Sequence, residues 1–195
     1  MAARQDGCIG TVSLGVTVDG VVVVDGWGPL ADEVLAQLRR CGVSVRGGRH
    51  AADGAELAMA DRSALPSVVV IVTEGRSPSW AGAPWQARGI AHLPVVLGDT
   101  GVVVGPLVLP GRTACLRCAG PAWRAGCRVT GVGSVPAGTA VLAAAVTTVT
   151  VLATLRDDTS LGGISTEIGL DEVSVTHRLW KVRPDCTCAS VTMAG

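Results

Sequence analysis

The sequence predicts an α/β fold built on a mostly parallel sheet, with a C-terminal β-rich part pinned by a four-cysteine zinc site. Three observations carry that reading. Val21-Val-Val-Val-Asp25 is an unbroken β-branched run, the pattern of a parallel strand buried on both faces. A glycine turn, Gly26-Trp-Gly28-Pro29, follows it and leads into Leu30, Val34, Leu38 and Cys41 at helical spacing. Further on, Cys115-Leu-Arg-Cys118 and Cys186-Thr-Cys188, with 67 residues between the pairs, offer the four thiolates that zinc takes tetrahedrally in closed structural sites.

Taken in order, the elements follow from local chemistry. Pro29 suits the first turn of a helix running to Cys41, Gly42 ends it, and Val43–Val45 starts a second strand. Strand, glycine turn, helix and strand make a βαβ unit, the opening of a Rossmann-like domain. A helix is expected over Ala55–Arg62, a buried strand over Ser67–Thr73, and a helix weakened by Pro84 over Ser79–Arg88. A strand over His92–Leu97, a tight turn at Asp99–Gly101 and a strand over Val102–Leu109 then deliver the first cysteine pair. A long helix over Thr139–Leu155 and two antiparallel strands, Gly163–Ile168 and Glu172–Val182, complete the chain. The division that results is an N-terminal extension (1–20), the domain with its zinc-clamped end (21–188) and a tail (189–195).

Composition narrows the function classes. Hydrophobic residues make up 48% of 195 and the mean hydropathy is +0.46, ample for a buried core. Formal net charge is zero and no run of Lys or Arg occurs, so a nucleic-acid partner is not expected. Val129–Leu155 carries no charged side chain, but its first part is a Gly- and Pro-rich loop and its helix holds five threonines. That predicts a core or subunit-interface helix and no membrane span. Seven cysteines is an odd number, and Met1–Gly10 has no apolar core of a signal peptide. The thiols are therefore expected to stay reduced, in a cytoplasmic protein.

The order of these parts resembles that of the ThiF and MoeB group, the ubiquitin-activating-enzyme-like α/β proteins. Cys127-Arg-Val-Thr-Gly131-Val, with Gly138 ahead of the long helix, is similar to that group's crossover segment. The stretch Leu93-Pro-Val-Val-Leu97 to Cys118, with its Val103-Val-Gly-Pro-Leu-Val-Leu-Pro-Gly-Arg-Thr-Ala run, resembles more particularly the ThiF-like proteins of bacteriocin and azoline-peptide maturation. Those act beside a YcaO-type cyclodehydratase. The resemblance implies a homodimer, a precursor peptide and a YcaO enzyme as partners, and Gly26 and Gly28 as the nucleotide turn.

Departures from the group's pattern bear on activity. Adenylation needs cations on the phosphates, an acid on the ribose and an aspartate for magnesium. Lys181 is the sole lysine and lies beside the second cysteine pair, leaving Arg62 or Arg76 to substitute. The second strand is read as ending on Arg46, without the acid, and Thr73-Glu74 stands where Thr-Asp is usual. Ala31 replaces a third glycine, and Pro29 removes one N–H from the helix start. ATP is therefore not an expected cofactor. The expectation is a degenerate scaffold; the alternative is an active adenylating or sulfur- or acyl-transfer enzyme using Cys127, flanked by Arg124 and Arg128.

The remaining candidates read as structural. Cys8 and Cys41 are expected to be structural or incidental, His50, His92 and His177 have no shared spacing, and His92 is expected as a polar strand-end residue. Trp80, Trp85 and Trp123 are expected to be packed mostly in the body of a chain that has no Phe or Tyr. The twenty or so residues before the first strand are too few for the winged-helix peptide clamp of many YcaO partners.

Overall fold

The computed structural model describes residues 20–58, 65–75, 80–125, 135–170 and 174–190. Twelve elements run in the order β1 Val21–Asp25, α1 Pro29–Arg40, β2 Ser44–Gly48, α2 Ala51–Ala58, β3 Val68–Glu74, α3 Ala83–Ala87, β4 Ala91–Leu97, β5 Gly101–Val104, α4 Leu116–Ala125, α5 Ala137–Leu155, β6 Ile164–Gly169 and β7 Val175–Leu179. The strands form one seven-stranded sheet, β2-β1-β3-β4-β5-β6-β7. Pairings from β2 to β4 are parallel and those from β4 to β7 antiparallel, so the sheet has two halves of different construction.

Alternation along each strand sorts the core into two layers. Val22 and Val24, Val68, Val70 and Val72, and Leu93 and Val95 face α1 and α5, whose Leu30, Val34, Leu38, Ala143 and Val151 close over them. The opposite face carries Val23, Val69 and Ile71 under Ala55 and Trp85, and farther along Val96 and Val103 under Cys115 and Cys118. α5 is long and apolar enough to cross a bilayer by length and composition. Here it lies against α1 and the sheet, with Ala143, Ala144 and Val151 fully buried.

Several boundaries differ from expectation for reasons outside their own segments. α2 starts four residues early because the Asp25 carboxylate, at the end of β1, accepts the Ala52 N–H at 3.1 Å and caps the helix. β5 stops at Val104, not Leu109, because Gly105 (φ +95°) turns the chain; Leu107 and Val108 return only as isolated bridges to Gly162 and His92. α3 is five residues long and opens with Pro84 in its first turn. β2 runs to Gly48, past the expected end at Arg46. The C-terminal strands β6 and β7 do not stand apart from the sheet but extend it through β5.

Candidate metal centre and glycine crevice

The route to the first cysteine pair is set by a hydroxyl. Thr113 Oγ1 accepts the Leu109 N–H at 2.8 Å, tightening the Pro110–Thr113 turn so that Cys115 emerges over the sheet. Cys118 N–H then donates to Cys115 O at 2.9 Å, which places both sulfurs on one side of the turn. Gly120 (φ +62°, ψ −149°) breaks the helical path inside α4, a backbone conformation that glycine reaches without penalty. The second pair arrives after β7, where a 3₁₀ turn over Thr187–Ser190 holds Cys188.

The four sulfurs of Cys115, Cys118, Cys186 and Cys188 all lie within 4.8 Å of one another. Cys115 to Cys118 is 3.8 Å, Cys115 to Cys186 3.6 Å and Cys118 to Cys188 3.5 Å. A tetrahedron of ~2.3 Å zinc–sulfur bonds has edges of roughly 3.8 Å, whereas a disulfide is about 2.05 Å. The spacing fits a tetrahedral ion and excludes S–S bonds within the quartet.

Burial and the neighbouring sulfurs set how readily each thiol ionises. Burial pushes the Cys115 and Cys188 thiols up. Burial opposes the Cys186 thiolate too, yet hydrogen bonds from the Cys188 backbone and from the Cys188, Cys118 and Cys115 sulfurs bring it down to about 7. Four thiolates this close repel one another unless a divalent ion neutralises them. Arg183 N–H adds a hydrogen bond to Cys118 Sγ at 3.4 Å, while its guanidinium grips Asp185 at 2.6 and 3.0 Å on the surface. Such an ion would be a clamp without an open coordination position, joining the chain after β7 to the start of α4.

Beside this centre lies a cavity of about 270 Å³ lined by Gly82, Gln86, His92, Cys115 and Cys188. His92 is not the polar strand-end residue expected: it is the second residue of β4 and 1% exposed. Burial pushes its pKa down to about 4, so the ring is neutral, and Nδ1 lies 3.0 Å from Ile90 O. That contact requires the proton on Nδ1.

The second candidate lies at the carboxyl ends of β1 and β3, where the strand order reverses and α/β sheets open a crevice. Gly26 (φ +148°) is required by packing, because a Cβ there would sit 2.7 Å from Val72 O. Gly28 (φ +87°) precedes α1 with open space around its missing Cβ, and no side chain caps the helix. Asp25 is engaged in capping α2. Arg49 lies over the Trp27 ring at 4.4 Å, and Trp27 is 58% exposed. Sequence reasoning passed over Arg49, because the expected strand ended three residues before it.

Of the other candidates, Cys41 is the exposed C-cap of α1, off the helical stripe assigned to it. Trp85 is buried as expected, but Trp80 is 80% exposed, contrary to expectation; it lies in the turn before α3 with no core above it. Cys8, Arg62, Arg76, Cys127 and Arg128 lie outside the described residues, as do the side chains of Trp123 and Arg124.

This architecture is the ThiF/MoeB-type fold that the sequence resemblance implied. Solved structures with the same fold include one described as "Heterocyclase in complex with substrate and Cofactor" (TM-score 0.66, 15% identity, 87% of this chain and 25% of that one). Escherichia coli MccB with AMPCPP and MccA gives a TM-score of 0.64 at 14% identity over 88% of this chain and 67% of that one. The microcin C7 biosynthetic enzyme MccB in complex with N-formylated MccA gives 0.62 at 14% identity, over 88% and 68%. The chain thus spans a quarter of the heterocyclase chain and about two thirds of the MccB chains. No protein-family model and no curated protein matches it.

Proposed function

We propose that this chain is a catalytically degenerate ThiF-like, zinc-binding scaffold that docks a precursor peptide, a YcaO-type cyclodehydratase, or both during ribosomal peptide modification. The observation that carries the proposal is that the described residues beside the crevice are engaged with other parts of the chain. Gly26 is there for its contact with Val72, Asp25 for the cap on α2, and Trp27 and Arg49 for each other. No lysine precedes Lys181, so the phosphates of a nucleotide would lack that cation. Fold neighbours described with a heterocyclase substrate and with MccA support the peptide side of the reading. The ion at the cysteine quartet is zinc, in a structural role, and the protein works in the cytoplasm.

A homodimer along α5 belongs to the same proposal. Val141, Leu142 and Val149 are 49%, 37% and 60% exposed on a helix without a single charge, and a second copy would cover them. Pyrophosphate exchange with ATP and candidate precursor peptides tests the scaffold reading, which expects none, and co-purification with the YcaO enzyme is its positive counterpart. One observation favours a second reading, an adenylating or sulfur- or acyl-transfer enzyme using Cys127: MccB with the same fold is described with AMPCPP and with ATP. Exchange activity, or a trapped acyl or persulfide adduct on Cys127, would establish it.

A further inference from the structure

The antiparallel half ends on β7, and its ladder identifies the groups on the open edge. Trp180 N–H donates to Gly163 O at 2.9 Å and Gly169 N–H to Ser174 O at 3.0 Å, so these are hydrogen-bonded positions. Bonded and non-bonded pairs alternate along an antiparallel pair. The pairs Val175–Ile168, His177–Thr166 and Leu179–Ile164 are therefore non-bonded, and these three β7 residues turn their N–H and C=O groups outward. Every residue of β7 is exposed, and no strand lies beyond it among the described residues.

The two faces of this edge differ. Val175, His177 and Leu179 share the face of Ile168, which packs with α5, and Val175 and Leu179 are 44% and 64% exposed. Arg178 points to the other face, its guanidinium over Trp180 at 5.1 Å. Arg178 and Lys181 form no ion pair among the described residues; Glu167, on the adjacent strand, pairs in register with Thr176. A second copy of β7 in the register that sets Arg178 against Arg178 would bring like charges together, which disfavours that self-pairing.

We propose that the β7 edge takes an extended acidic peptide as an added strand, with apolar side chains against Val175 and Leu179 and alternating carboxylates against Arg178. This rests on the peptide-docking reading and adds its place and chemistry. The test is fluorescence anisotropy of a labelled Ser-Val-Glu-Val-Glu-Val-Ser peptide with the full chain. Saturable binding is expected, with the lysine counterpart and Leu179→Pro each about tenfold weaker, since the latter removes an outward donor and leaves the ladder bonds intact. Val175→Pro replaces it if far-ultraviolet circular dichroism shows that Leu179→Pro fails to fold, and Arg178→Glu should shift preference to the lysine peptide. Absent saturation, equal binding of both peptides, or indifference to the proline variants would overturn the assignment, as would self-association that Leu179→Pro abolishes. Capture of the YcaO enzyme is scored separately: capture without saturable peptide binding at β7 sinks only the edge assignment, and ATP–pyrophosphate exchange with β7 binding intact sinks only the degenerate-scaffold reading.

Discussion

From β1 to β4 the sheet is covered on both faces by helices, with Val23, Val24, Val69 and Val70 at 1% exposure or less. From β5 to β7 the cover thins until β7 is exposed along its whole length, and the chain beyond it is tied back through Cys186 and Cys188 to Cys115 and Cys118. Burial of valine side chains at roughly 1.5–3 kcal/mol each can hold the first half. β7 lacks that resource, and an ion at the cysteine quartet would replace it. A well-buried crevice end beside an outer end that an ion would staple is the reason the two regions should fail separately.

The largest expected effect breaks the comparison at its staple. Structural zinc contributes on the order of 10 kcal/mol, comparable with a whole domain's stability. Cys118→Ser or chelation should therefore expose β6 and β7 amides to hydrogen exchange while β1 and β3 stay protected; uniform exposure would contradict the two-region account. Leu38→Ala, at a fully buried position in α1, should cost about 3 kcal/mol in urea unfolding without releasing metal.

Acid acts through His92 between the two regions. Its folded pKa of about 4 lies below the ordinary 6.5, so its contribution is complete above pH 6.5 and is lost as pH falls through 4, by up to about 3 kcal/mol. Stability measured against pH should show a shallower acid limb in His92→Gln. Gly26→Ala should cost about 2 kcal/mol, because it meets Val72 O and a positive φ, whereas Gly28→Ala meets only the φ and should cost about half as much. Equal costs would mean that Gly26 is not held by packing. Asp185→Asn, at an exposed ion pair, should shift the melting temperature by about a degree or less.

The sequence was most legible where chemistry is local. Valine runs marked β1 and β3 to within a residue, and the cysteine spacing marked the quartet, because thiolate ligation has few competing readings. What it hid depends on contacts between distant segments. The early start of α2 needs Asp25, from another element. His92 reads as polar in sequence, yet a single carbonyl and the packing of its neighbours make it a core residue. Arg49 could be placed over Trp27 only once β2 was known to run to Gly48, and Trp80 looked like core material because nothing local reveals that the turn before α3 faces outward.

The clamp on the outer half of the sheet is tested most directly by measuring metal in the purified, reduced chain by mass spectrometry, beside Cys118→Ser. One equivalent of zinc per chain, lost in the variant, is the predicted result. A metal-free chain that keeps β6 and β7 protected from exchange would contradict the account.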